Sequence, residues 1–141
     1  MTARTIAQKR KRIAGKLHKL GVSMLVLFGS AATGAKKPED IDVAVFLADV
    51  AREGILASLE KQCEITATAA DFLGDPADKL DAVFMHRGIA PLLAYHIARD
   101  GKLLFGAEEG FMRFRVRAVK MYYDSEKFFE LRRQYLQRVY A

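Results

Sequence analysis

The sequence predicts a mixed α/β fold, with a four- to five-stranded sheet flanked by helices and a C-terminal helical element. Apolar runs of strand length alternate along the chain with segments of helical periodicity. The 141 residues are 51% hydrophobic, which is enough for one sizeable core. No repeat, low-complexity segment or linker divides the chain. We therefore expect a single domain over residues 1–141, with a core at about 22–106 and C-terminal helices at about 108–138.

The first half of the chain begins with a predicted helix that Thr2 or Thr5 caps and Gly21 ends. An uninterrupted apolar run then predicts a buried strand, and a second strand follows after a loop. In the next helix we expect Val50 and Leu59 to face inward. The β-branched residues after that helix favour a short strand. The predicted elements are a helix over 2–20, strands over 22–28 and 41–47, a helix over 50–61 and a strand over 63–68.

The second half continues with a loop over 69–79 and ends in a long helical segment. Pro91 is well placed to start a helix, because proline suits the first helical turn. The C-terminal segment is rich in aromatic residues, which serve either as core packing or as a surface for a partner. The predicted elements are a strand over 80–85, a helix over 91–99, a strand over 102–105 and helical periodicity over 108–138, broken near 123–125.

The composition restricts where the protein acts and what it binds. Its net charge of +6 is concentrated in residues 4–19 and 113–138. This charge suits a polyanionic partner, such as a nucleotide or RNA, but solvated helix faces explain it equally well. No apolar run approaches the roughly 20 residues that span a bilayer. Cys63 is the only cysteine, and we expect it to be a small buried hydrophobe. We expect a cytoplasmic protein.

A glycine, a serine and two aspartates around the first two strands form the most informative pattern in the chain. Gly29-Ser30 follows the first strand, and its backbone N–H groups and hydroxyl suit a phosphate. Asp40 and Asp42 open the second strand, where period-2 alternation points both to one face. Two adjacent carboxylates repel each other unless a cation lies between them. A divalent metal with oxygen ligands is the usual solution.

Asp81 adds a third carboxylate inside an apolar strand. If this strand lies beside 41–47, Asp81 joins Asp40 and Asp42 at one site. Three carboxylates can hold two Mg²⁺ ions, which clamp the attacking and leaving oxygens of a phosphoryl displacement. Taken singly, each acid has a plainer interpretation as a turn residue, an exposed edge residue or a turn cap. The combination favours nucleotide chemistry.

These residues resemble the signature of the DNA polymerase β nucleotidyltransferase superfamily, and more closely that of the small MNT-type (minimal nucleotidyltransferase) proteins. Gly29, Ser30, Asp40 and Asp42 match its Gly-Ser and Asp-x-Asp motifs. Downstream, the segments 80–84, 90–93 and 101–105 resemble the later strand, a helix and a closing strand of the family. The resemblance covers about residues 22–106 and places the third family carboxylate at Asp81.

The resemblance implies the nucleotidyltransferase fold, ATP as substrate and Mg²⁺ as cofactor, with two ions bound by Asp40, Asp42 and Asp81. It also implies an antitoxin that transfers AMP from ATP to a tyrosine of a HEPN-family ribonuclease toxin and forms a hetero-oligomer with it. Asp81 would bind one metal and orient or deprotonate the attacking hydroxyl. Gly29 and Ser30 would bind the triphosphate.

Two departures from the family pattern keep other functions open. The loop between Ser30 and Asp40 holds nine residues, 31–39, which is one fewer than usual, and Ala31 stands where many relatives carry arginine. An arginine there would supply a phosphate partner. One alternative acceptor is a small molecule or an RNA end. Another alternative is an inactive module that neutralises its partner by occlusion.

Overall fold

The computed structural model describes residues 2–29, 32 and 40–140. In this part of the chain a four-stranded mixed sheet lies between two layers of helices. The elements are α1 (Ala3–Lys19), β1 (Val22–Phe28), β2 (Ile41–Leu47), α2 (Asp49–Leu56), α3 (Leu59–Leu73), a short 3-10 turn (Ala77–Lys79), β3 (Leu80–Phe84), α4 (Pro91–Asp100), β4 (Lys102–Phe105) and α5 (Glu108–Tyr140).

The sheet has the strand order β3-β2-β1-β4. β1 is antiparallel to both of its neighbours, whereas β2 and β3 are parallel. A parallel pair needs a long crossover connection, and α2 and α3 supply it. This crossover brings the starts of β2 and β3 to the same end of the sheet.

Each face of the sheet has its own hydrophobic cluster. On one face Leu25, Val43 and Val45 pack against α1 and α3, where Leu17 and Ile65 are almost fully buried. On the other face Met24, Val26 and Ala44 contact Ile97 of α4 and Phe111 of α5. The two clusters occupy opposite faces because side chains alternate along each strand.

Most of the predicted elements are confirmed. The strands over 22–28 and 41–47 have the expected bounds, and Thr2 caps α1 by accepting a hydrogen bond from the Thr5 N–H at 3.3 Å. Pro91 begins α4, and β4 spans 102–105 as predicted. None of the described helices is both long enough and apolar enough to cross a membrane.

The predicted strand over 63–68 is wrong, because these residues form the middle of α3. Ser58 caps this helix at Lys61 N, and Gly74 ends it with a left-handed φ of 78°. The β-branched residues are accommodated because the Thr66 and Thr68 hydroxyls each donate a 2.8 Å hydrogen bond to the carbonyl four residues earlier. The loop predicted over 69–79 therefore begins only after Leu73.

Several predicted orientations also need correction. The helix predicted over 50–61 is two helices, α2 and α3, and their separation turns Val50 and Leu59 outward, with exposed fractions of 100% and 76%. Cys63 lies on the exposed side of α3 rather than in the core. The break predicted near 123–125 is absent, because α5 runs through it as one 33-residue helix.

Candidate active site

Gly29 ends β1 directly beside the carboxylate of Asp42. Its φ is 71°, a left-handed conformation that glycine adopts without steric cost, and its carbonyl accepts a 3.2 Å hydrogen bond from the Ala32 N–H. A methyl group added at Gly29 would overlap Asp42 Oδ2 and lie 3.3 Å from Asp42 Cγ. Glycine is therefore favoured here by its backbone conformation, and any side chain at this position would displace the Asp42 carboxylate.

The sheet register places Asp42 and Asp81 next to each other. Asp42 pairs with Phe28 of β1 on one side and with Asp81 of β3 on the other. Neighbouring strands lie about 4.8 Å apart, so two directly paired residues on one face contact each other. The sequence-based prediction that the strand with Asp81 lies beside 41–47 is confirmed.

The carboxyl of Asp42 has a raised pKa. Burial is the largest cause, because it disfavours the charged form. The negative charges of Asp81 and Asp40 add to the shift, and so does a side-chain hydrogen bond between Asp42 and Asp81. Asp42 is half-buried, whereas Asp40 and Asp81 are exposed. The three acids therefore act on one another electrostatically at one end of the sheet.

The remaining residues considered from the sequence are distributed differently. Ser30 lies outside the described residues, as does Ala31. His86 is exposed, and its Nδ1 accepts a 2.9 Å hydrogen bond from the Gly88 N–H in the turn after β3. This places His86 in a surface turn.

The donor chemistry of Asp40, Asp42 and Asp81, which we call the acid cluster, fits Mg²⁺. The cluster offers only carboxylate oxygens, which are the ligands that hard divalent cations prefer. A cation would also relieve the repulsion that contributes to the raised pKa of Asp42. Within the described ranges, no three His, Cys, Asp or Glu side chains are already gathered into a metal-binding group. A shared cation would replace the repulsion among these carboxylates with attraction and would draw them together.

The comparison with protein families identifies this arrangement. A family model described as "Polymerase beta, Nucleotidyltransferase" matches residues 11–110. The chain belongs to this nucleotidyltransferase family. The matched span contains all four strands and the acid cluster, and it includes only the first residues of α5. Most of α5 is therefore additional to the part of the chain that the family model matches.

Solved structures of toxin–antitoxin complexes share the fold of this nucleotidyltransferase. A complex with AMP-PNP is 24% identical, covers 91% of this chain and 98% of that chain, and has a TM-score of 0.54. A mutant MntA-HpeT pair is 25% identical over 90% of this chain and 97% of that chain, with a TM-score of 0.53. A protein from Shewanella oneidensis is 22% identical, with 99% of this chain and 100% of that chain covered and a TM-score of 0.52. No curated protein matches the sequence.

The sequence-based reasoning did not detect the contact between Gly29 and Asp42. The glycine was assigned to close approach of a phosphate, whereas in the structure its missing side chain also leaves room for the neighbouring Asp42 carboxylate. The antiparallel pairing of the two predicted strands contained the signal, because it sets Phe28 opposite Asp42 and Gly29 one residue beyond.

Proposed function

We propose that this nucleotidyltransferase transfers AMP from ATP to a tyrosine hydroxyl of a HEPN-family toxin, and thereby acts as its antitoxin. The observation that carries the proposal is the Asp42–Asp81 pair beside the left-handed Gly29 that follows β1. Similarity to toxin–antitoxin structures, one of them with an ATP analogue, supports the partner and the nucleotide. In this proposal, residues 1–141 form one catalytic domain that works in the cytoplasm.

In the proposed reaction Asp40, Asp42 and Asp81 hold Mg²⁺. When bound, the metal supplies neutralisation of the triphosphate charge. The Gly29 backbone lets the phosphates approach, and Ser30 adds a hydroxyl contact. The acceptor oxygen bonds to the α-phosphorus as the bond from that phosphorus to its bridging oxygen breaks, and pyrophosphate leaves. Asp81 is the exposed carboxylate of the pair and accepts the proton of the attacking hydroxyl.

The test offers the product of the adjoining reading frame to the enzyme as the acceptor protein. Wild-type protein with ATP and Mg²⁺ should add AMP to a tyrosine of that partner, detected by mass spectrometry. Asp42→Ala should slow the transfer on the order of a thousandfold or more, because it removes a carboxylate from the metal-binding set. Asp71→Ala is the control, since Asp71 is exposed on α3, which packs against the opposite face of the sheet.

Two other results would replace the proposal. A partner that remains unmodified, yet is neutralised equally well by wild type and Asp42→Ala, would identify an occluding module. AMP transfer to a small molecule or an RNA end, with none to the protein, would keep the chemistry and change the acceptor.

A further inference from the structure

Helix α5 is half packed and half exposed. Its 33 residues extend about 50 Å at 1.5 Å per residue. In the first half Phe111 and Ala118 are buried, and the Arg115 Nε donates a 2.7 Å hydrogen bond to the Ala98 carbonyl of α4. The packed part ends where Tyr122 stacks on Tyr95 of α4, with ring centroids 4.2 Å apart. We call residues 123–140 the distal half.

The distal half carries an apolar stripe that no element of the described residues covers. Phe128, Phe129, Leu136 and Tyr140 fall on one side of the helix, since successive residues are about 100° apart around its axis. Their exposed fractions are 64%, 62%, 40% and 81%. Because isolated helices gain most of their stability from packing an apolar face, such a stripe indicates a surface built for contact.

This stripe continues a groove that begins on the sheet. A cavity of about 750 Å³ has Met24, Phe46 and Phe114 among its lining residues. It shares Arg117 and Met121 with a cavity of about 470 Å³ that reaches Phe128 and Phe129. That cavity in turn shares Phe129 with one of about 540 Å³ that reaches Leu136 and Tyr140. We call the surface that lines these three cavities the α5 groove.

The charges along the α5 groove favour an acidic occupant. Three of its arginines pair with acids of their own helices, Arg52 with Asp49, Arg113 with Glu109 and Arg133 with Glu130. Four further cations of the lining form no ion pair with any acid of the described residues: Arg87, Arg117, Lys120 and Arg132. A second copy of this chain would bring the same cations against one another, which disfavours self-association.

The groove opens on the sheet face that carries the acid cluster. Phe46 lies four residues after Asp42 on β2, and period-2 alternation therefore points both to the same face. At about 3.3 Å per residue, the two positions are roughly 13 Å apart. A protein seated in the groove lies within reach of the carboxylates without covering them.

We propose that the α5 groove is the docking site for an acidic amphipathic helix of the protein that this enzyme modifies. The inference rests on the proposed function for the identity of that partner. A helix is the fitting occupant because the groove follows α5 along its length, and helices pack side by side through such ridges and grooves. Docking there fixes the acceptor hydroxyl near Asp42 and Asp81, which supplies the proximity that transfer to a large substrate needs.

The test compares binding of the HEPN-family partner by matched pairs of variants. Phe128→Glu places a carboxylate on the stripe and should weaken binding roughly tenfold or more. Its control, Leu131→Glu, makes the same change at an equally exposed residue (65%) that lines none of the three cavities. Arg132→Glu reverses a groove cation and should weaken binding and reduce its salt dependence, whereas Arg138→Glu makes the same reversal away from the groove and should change both much less.

Calorimetric titration gives the affinities, circular dichroism checks that each variant keeps its helix content, and MgATP affinity should be unchanged. Equal partner affinity for all four variants would overturn the groove while leaving AMP transfer intact. Loss of binding in the groove variants alone would support the groove even if transfer failed. A wild-type dimer that Phe128→Glu dissociates in sedimentation, with partner binding unchanged, would assign the groove to a second copy and overturn the proposal.

Discussion

The two ends of one sheet face differ sharply in chemistry although the same strands build both. β2 carries Asp42 near its start and Phe46 near its end, and the β3 segment similarly leads from Asp81 to Met85. At the first end, carboxylates lie side by side. Burial of Asp42, and then repulsion by its neighbours, raise the pKa of its carboxyl. At the second end, apolar side chains line the α5 groove beneath unpaired cations.

This contrast shows how a short strand serves two purposes. At one end, the parallel register between β2 and β3 places Asp42 beside Asp81. At the other end, Phe46 and Met85 belong to the same hydrophobic cluster. The acid end is suited to metal and phosphate chemistry, and the groove end is suited to holding a partner. Substitutions at one end should therefore leave the other end unaffected.

The largest expected effect is on catalysis by the acid end. Asp81→Asn should slow AMP transfer on the order of a thousandfold, or about 4 kcal/mol in activation free energy, because it removes a carboxylate from the metal-binding set. Partner affinity should stay within about twofold, since the groove is unchanged. Single-turnover transfer and partner titration measure the two quantities. Asp78→Asn, in the exposed turn before β3, is the control. A transfer rate within tenfold of wild type would contradict the assignment of Asp81.

A smaller effect is expected from the glycine that borders the acid end. Gly29→Ala should lower MgATP affinity roughly tenfold or more, because the methyl group would push the Asp42 carboxylate aside. It should also cost about 1 kcal/mol of stability for a left-handed alanine. Gly74→Ala is matched to it, since Gly74 has a φ of 78° and a methyl group there meets no atom within 4 Å. Isothermal titration and thermal unfolding should show the stability loss in both variants and the affinity loss only at Gly29.

The smallest expected effect is a gain of stability when the acid end loses a charge. The pKa of Asp42 is raised in the folded state, so its protonated form stabilises the fold. This contribution is lost as the pH rises from the ordinary aspartate pKa of about 3.9 through the raised value. In EDTA at pH 7.5, Asp42→Asn should therefore unfold at a slightly higher temperature than wild type, by up to about 1 kcal/mol. Below pH 4 the difference should shrink. A lower unfolding temperature for the variant at pH 7.5 would show that the ionised carboxylate stabilises the fold.

The acid end was largely predictable from the sequence because local patterns determine it. The apolar runs 22–28 and 41–47 gave the strand bounds, and period-2 alternation gave the shared face of the acids. The contact between Asp42 and Asp81 needed only one further assumption, that the two strands are neighbours. The roles of Gly29, Ser30 and the three acids in binding and catalysis remain predictions.

The groove end was less predictable because long-range packing determines it. The aromatic C-terminal segment left open both core packing and a partner surface. Core packing is correct for the first half of α5, where Phe111 is buried. In the distal half Phe128 is 64% exposed, and a partner surface there remains a prediction. No local signal marks where α4 stops covering the helix. The strand predicted at 63–68 failed for a related reason, since caps at Ser58 and Gly74 and the burial of Ile65 outweighed the β-propensity of the threonines.

The continuity of α5 across Tyr122 also sets how the molecule opens. Amide protons in the packed half exchange with solvent only when α5 leaves α4 or the domain unfolds. Those in the distal half exchange by fraying, because no other element of the described residues supports this part of the helix. An unsupported helix of about 18 residues is marginal in water. Part of the contact energy in any complex at this helix is therefore spent on ordering it, and the measured affinity understates the contacts made.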